Sequence, residues 1–269
     1  MLSSKLSGDD VRVATRTLPH AADARTCPHD GSTLIFDAVY VGHDGLYHCP
    51  NNDFERPQPG LAATDIELHG FDSLAMTVES TRIDMPLGGL YNAYNVLASF
   101  AAACSVGLDA KYISERLKTF KAAFARQERI DFRGRHLILV LSKNPAGFNE
   151  TLRTAVELAH GENFIIGLND RKADGTDVSW IWDVDFELLK DQAKTVIPAG
   201  VRAADLAVRL KYAGIEAEKP QTDPGKALDA LITSTSEGDT VYLLCTYTAM
   251  LDLRAELVRR GWAQAYWET

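Results

Sequence analysis

Asp170, Asp174, Asp177, Asp183 and Asp185 crowd into residues 169–185 together with Trp180 and Trp182. Carboxylates at that density orient a histidine or hold a metal. Asn169-Asp170 follow directly on the apolar run at residues 164–168, where a buried strand ends and a ligand edge is expected. The alternative is a solvated Asp-Gly turn running into a buried aromatic element. A second group, Lys143-Asn144-Pro145-Ala146-Gly147-Phe148-Asn149, sets a cation, two amides and a glycine ahead of a helix. Such a helix N-terminus suits an anion, unless Asn149 simply caps the helix. A third group pairs Cys27-Pro28-His29-Asp30 with Cys49-Pro50-Asn51-Asn52. It has the outline of a zinc ribbon that lacks the second cysteine of each knuckle. Zinc bound through Cys27 and Cys49, with His29, Asp30, His43 and His48 nearby, and a hairpin that folds without metal both remain open. No metal ligand is assigned.

The elements that position these groups follow from periodicity. Residues 34–36 and 39–41 are β-like, then comes the turn signal His43-Asp44-Gly45, so a hairpin is expected. Strands are expected at 64–68 and 74–78. An Ala-rich helix over 93–104 has Val96, Phe100 and Ala103 on one face, with Gly107 as its stop. Another runs from Ala110 with Ile113, Leu117 and Phe120 spaced four and three apart. Beyond this, strands at 137–141, 164–168, 195–197 and 241–245 alternate with helices near 150–160, 203–213 and 250–257. That alternation predicts a parallel sheet covered on both faces. The loops 142–149, 169–185 and 198–202 then leave its carboxyl edge.

Bulk properties exclude several classes. The 269 residues are 46% hydrophobic and 24% charged, ordinary globular values with length for two domains. A formal net charge of -9 argues against nucleic acid or an anionic membrane as partner. No apolar run reaches the length of a membrane span, and no signal-peptide core is seen. Four cysteines in such a chain suit a reducing cytoplasm rather than a disulfide scaffold. The single Gly-Lys, Gly225-Lys226, precedes Ala227, so no Gly-x-x-x-x-Gly-Lys-Ser/Thr phosphate loop is present. No Gly-x-Gly-x-x-Gly follows a strand either.

Taken in order, several segments resemble the MurT family, the Mur-ligase-like subunit of lipid II isoglutaminyl synthase. They are the ribbon remnant at 27–59, Tyr91-Asn92-Ala93-Tyr94-Asn95-Val96-Leu97-Ala98 and Arg126-Gln127-Glu128-Arg129. Lys143-Asn144-Pro145-Ala146-Gly147, the acidic loop and Gly200-Val201-Arg202-Ala203 follow, leading to Arg209-Leu210. The resemblance spans essentially the whole chain. It implies a Mur-ligase C-terminal, Rossmann-like α/β domain at 125–269. Residues 1–124 would be the end of a central Mur-ligase domain, with a ribbon insertion at 25–60. It implies a cytoplasmic heterodimer with a GatD-type glutamine amidotransferase. With ATP and Mg2+, that enzyme amidates the D-glutamate α-carboxyl of lipid II. Asp177 matches the aspartate that completes a Cys-His-Asp arrangement in the partner. Asn95 matches an asparagine near the adenine, and Arg126 an arginine contacting nucleotide phosphates. Ala125 stands where the family's hinge has glycine, and Asp30 and Asn52 stand near its usual second cysteines. The competing expectation is a docking module for the glutaminase that performs no ATP chemistry.

Overall fold

The structure is a computed structural model, and it describes residues 25–41, 44–120, 126–158 and 162–264. His43, Ala125 and the helix stop at His160-Gly161 lie outside the described residues. The chain divides into two compact units, residues 1–121 and 122–269.

In the first unit, β1 (Ile35–Val41) and β2 (Asp44–His48) form an antiparallel ribbon. Gly45 is not in the turn, as its Asp-Gly signal suggests, but within β2 opposite Val39. Any Cβ there would meet the Ala38 carbonyl oxygen, which is why only glycine fits. A three-stranded sheet follows: β3 (Ala63–His69), β4 (Ser73–Val78) and β5 (Thr81–Met85), in the order β3-β4-β5. Helix α1 (Leu90–Ser105) buries Leu90, Ala93, Val96, Leu97 and Phe100 on one face, as the spacing predicts. Its start lies earlier than expected, behind Gly89 at φ +91°. Helix α2 (Ala110–Lys118) is capped by Asp109, whose carboxylate accepts the Lys111 and Tyr112 amides. Ile113 is buried, but Phe120 falls beyond the helix and is exposed.

The second unit is the expected α/β layer structure. Its five-stranded sheet has the order β6-β7-β10-β8-β9. These strands are β6 (Arg126–Phe132), β7 (Arg135–Leu141), β8 (Glu162–Gly167), β9 (Ala193–Ala199) and β10 (Thr240–Cys245). All neighbours are parallel except the edge pair β6–β7. The last strand inserts between β7 and β8, so Leu139, Leu243 and Ile165 lie side by side at the sheet centre with no exposed surface. Burying each is worth about 1.5–3 kcal/mol. Edge strand β9 tolerates Pro198, which a central strand would not. Helices α3 (Pro145–Leu158), α4 (Ala203–Tyr212), α5 (Pro224–Ser234) and α6 (Tyr247–Arg259) connect or follow these strands. Among the described residues, no helix is long and apolar enough to cross a membrane.

Candidate functional site

The carboxyl ends of β7, β10 and β8 are joined laterally. The Ser142 amide donates to the Cys245 carbonyl, at 2.8 Å, and the Thr246 amide to that of Gly167, at 2.9 Å. Asn169, buried immediately past β8, is the hub. Its amide donates to Thr246 Oγ1 (2.9 Å), and its side-chain nitrogen donates to Thr248 Oγ1 (2.8 Å) and Asp252 Oδ2 (3.2 Å). Its side-chain oxygen accepts the Val201 amide at 2.9 Å. Gly200 is obligatory beside it: φ is +94°, and a Cβ would stand 2.5 Å from the Leu168 carbonyl oxygen.

The aspartates of the loop divide by their partners. Asp170 pairs with Arg202 at 3.2 Å. Asp174 accepts the Thr248 amide (2.7 Å) and hydroxyl (2.5 Å), capping the start of α6 from outside the helix. Asp185 pairs with Arg153 (3.1 Å), which also holds buried Glu150 at 3.2 Å. Asp183 is exposed, while its carbonyl accepts the Asn149 side chain. Asp177 differs from the paired three. It is exposed, and its carboxylate is held locally by Ser179, whose amide donates to Oδ1 at 2.8 Å. That bond, with the Ser179 hydroxyl, holds its carboxyl below the usual range. Among the described residues no lysine, arginine or histidine forms an ion pair with it. It is thus a fixed, ionised carboxylate facing outward.

The remainder of the loop is anchored. Two short 3-10 turns, Ser179–Asp183 and Phe186–Leu189, bury Ile181, Phe186 and Leu189. Arg209 of α4, itself buried, donates to the carbonyls of Ile181 (3.2 Å) and Val184 (2.6 Å) and to Glu187 Oε2 (2.9 Å). Asn149 accepts the Asp185 amide at 2.8 Å. It is therefore a clip on the loop rather than the helix cap the sequence suggests. The cap is Asn144, whose Oδ1 accepts the Gly147 amide at 2.8 Å. That occupies a donor an anion would need. The clips Asn149 and Arg209 escape sequence reasoning because their partners lie on other elements. The available signal was a long polar side chain on the Leu206–Leu210 face of α4.

Asn95 lies exposed on α1 of the first unit, its side-chain nitrogen donating to Asn92 Oδ1 at 3.1 Å. Arg126 begins β6 in the second unit, its backbone paired opposite Val140. Gly225-Lys226 opens α5, and the Asp223 carboxylate accepts the Lys226 amide at 2.9 Å. A carboxylate thus sits where a phosphate would, and these residues do not fit a nucleotide cradle.

In the ribbon, one donor atom from each of Cys27, Asp30, Cys49 and Asp53 lies within 4.8 Å of the others. Burial pushes the Cys27 thiol up to about 11. Hydrogen bonds from the side chains of Asn51 and Ser32 pull the Asp30 carboxyl well below its usual range. Sequence reasoning singled out both cysteines and Asp30. It missed Asp53, which lies beyond the usual C-x-x-C spacing.

Comparisons with known proteins agree with this architecture. Residues 141–250 match the family model described as MurT ligase C-terminal. The chain is 34% identical over 195 residues to the lipid II isoglutaminyl synthase (glutamine-hydrolyzing) subunit MurT of Staphylococcus aureus, covering 72% of this chain and 44% of that protein. It is 32% identical over 257 residues to the same-named subunit of Streptococcus pneumoniae, covering 94% and 57%. It spans about half the length of these curated relatives. Among solved structures, a pseudomurein peptide ligase type C from Methanothermus fervidus superposes with a TM-score of 0.68 at 23% identity, over 88% of this chain and 49% of that one. The UDP-N-acetylmuramate-alanine ligase MurC of Thermotoga maritima gives 0.60 at 18%, over 77% and 47%. These two likenesses show the fold.

Proposed function

The chain belongs to the MurT family, its residues 141–250 matching the C-terminal domain, and on that premise we propose that it serves a glutamine-dependent ligase of lipid II. The proposed reaction amidates the D-glutamate α-carboxyl of the stem peptide to D-isoglutamine. A GatD-type glutaminase partner releases ammonia from glutamine, and ATP with Mg2+ activates the carboxyl in the whole enzyme. The names of the relatives, subunits of a glutamine-hydrolyzing synthase, support this assignment. The observation that carries this chain's own part is Asp177. It is ionised, exposed and held at the carboxyl edge by a loop whose other anchors are already satisfied.

Within that proposal, Asp177 reaches the histidine of the partner's Cys-His pair. A carboxylate there fixes the imidazole tautomer and stabilises its protonated form while the thiolate attacks glutamine. Exposed apolar side chains on the same unit suit a docked subunit. Trp182 is 48% exposed and Tyr212 75%, with their rings edge to face at 5.5 Å. The test is glutaminase activity of a GatD-type partner mixed with the chain. Wild type is expected to stimulate hydrolysis and Asp177→Ala to abolish the stimulation. Identical rates would show the role of Asp177 to be wrong.

A second possibility, docking without ATP chemistry on this chain, is favoured by one observation. Gly225-Lys226 forms a carboxylate-capped helix start rather than a phosphate loop. Calorimetry of the chain with ATP separates the two: micromolar affinity would eliminate the docking-only description. Asn95 and Arg126 belong, in this proposal, to the ATP site of the whole enzyme, an assignment that rests on their match to the family.

A further inference from the structure

We infer that Ser179 is a positioning residue for Asp177, its amide and hydroxyl together fixing the plane of the carboxylate that meets the partner's imidazole. The inference rests on the role proposed above for Asp177.

An aspartate at the surface turns freely about its two side-chain torsions, and stopping both costs entropy. A carboxylate that orients a histidine must nevertheless keep an oxygen aimed at the imidazole N–H. Asp177 is exposed, and among the described residues no lysine, arginine or histidine forms an ion pair with it. Its restraint therefore comes from the loop itself.

Ser179 supplies that restraint twice. Its amide donates to Asp177 Oδ1 at 2.8 Å. Its hydroxyl hydrogen-bonds the same carboxylate. With one donor the carboxylate can still swing about that bond; a second donor from the same residue stops the swing. Both bonds favour the ionised form and hold the carboxyl below its usual range. An ionised carboxylate has about four acceptor positions, so two donors leave room for the partner's N–H.

Ser179 is itself held in place. It opens the 3-10 turn Ser179–Asp183, which buries Ile181. The Ile181 amide donates back to the Val178 carbonyl at 3.1 Å, and Arg209 donates to the Ile181 carbonyl at 3.2 Å. Trp180, next in the chain, lies against buried Phe148 of α3, with ring centroids 6.2 Å apart. On the other side of Asp177, the Asp174 carboxylate is tied to Thr248. The loop is thus anchored before and after the carboxylate, and the rigidity of the later anchor reaches Asp177 through Ser179.

The hydroxyl can be tested apart from the anchors. Any non-proline residue at 179 keeps an amide there, and only a short hydroxylated side chain adds the second donor. Ser179 is exposed, so Ser179→Ala removes one hydrogen bond and leaves the bonds of Arg209 and Asp174 intact.

The test measures glutamate release from L-glutamine by a GatD-type partner in complex with the full chain. Ser179→Ala should lower the stimulated kcat about three- to tenfold, the rate equivalent of one hydrogen bond. KM for glutamine, affinity for the partner and the unfolding midpoint should stay as in wild type. Ser179→Thr should restore kcat, because it returns the hydroxyl. A lower midpoint or a weaker complex in Ser179→Ala, with kcat of the assembled complex unchanged, would mark a merely structural role and overturn the proposal. Failure of Ser179→Thr to restore kcat also counts against it. Asp177→Ala, run alongside, separates this inference from the reading beneath it. If Asp177→Ala abolishes stimulation while Ser179→Ala keeps the wild-type kcat, only the positioning role falls. If Asp177→Ala matches wild type, the role of Asp177 falls and the positioning role with it.

Discussion

The ribbon and the acidic edge use the same residue type in opposite ways. At the edge, Asp170, Asp174 and Asp185 are tied to an arginine, a helix N-terminus and another arginine. A five-stranded sheet stands behind them, so cross-element hydrogen bonds suffice to fix the loop. In the ribbon, Asp30 and Asp53 converge on two buried sulfurs over a core of five residues. A carboxylate is therefore structural where a large core supplies it with a cation or an amide. It becomes a ligand candidate where carboxylates and thiols converge, as Asp30 and Asp53 do beside Cys27 and Cys49. Asp177 is the exception at the edge: it takes its rigidity from the scaffold while its charge faces outward.

Breaking the edge should cost more than any single change in its charges. Arg209→Ala removes three bonds made by a buried guanidinium and leaves the Ile181 and Val184 carbonyls with only their local backbone partners. A loss of about 2–4 kcal/mol is expected in denaturant unfolding of the second unit. Gly200→Ala forces a side chain onto a left-handed backbone against the Leu168 carbonyl. It should cost about 1–3 kcal/mol by the same measurement. Asn169→Ala should cost about 1–3 kcal/mol, since Val201 N–H and Thr248 lose a partner.

A subtler contribution comes from α6. Arg259, and then Arg260, hold the Glu256 carboxyl down at about 2 from an ordinary 4.5. Its folded value lies below its unfolded value, so its stabilisation is complete above about pH 4.5. It is lost as pH falls toward 2. Unfolding midpoints followed across that window should fall less steeply in Glu256→Gln than in wild type. Asp177→Asn should have the smallest effect on folding, leaving the midpoint indistinguishable from wild type at neutral pH.

Much of this comparison is legible in the sequence. The apolar runs at 137–141, 164–168 and 241–245 reveal the central strands because they are buried on both faces. Edge strand β6 is hidden by its charges, Arg126-Gln127-Glu128-Arg129, of which Glu128 turns to Arg254 in a bidentate pair. Helix α5 is marked by Asp223 and Pro224 at its start, yet its Pro-Gly opening reads as a turn. The position of Asp177 after Gly175 can be read directly, but what distinguishes it cannot. Its neighbours are engaged by Thr248, Arg202 and Arg153, partners distant in sequence. Likewise Asp53 meets Cys27 only because the hairpin folds back on itself.

The most direct test of the division of labour at the edge pairs two variants, Asp177→Asn and Asp174→Asn. Each is measured for unfolding midpoint and for the glutaminase rate of a GatD-type partner. Asp177→Asn should keep the wild-type midpoint and lose the stimulated rate. Asp174→Asn should lower the midpoint, because Thr248 loses its acceptor, yet retain the rate under conditions where it is folded. A wild-type rate in Asp177→Asn, with the midpoint unchanged, would contradict the account.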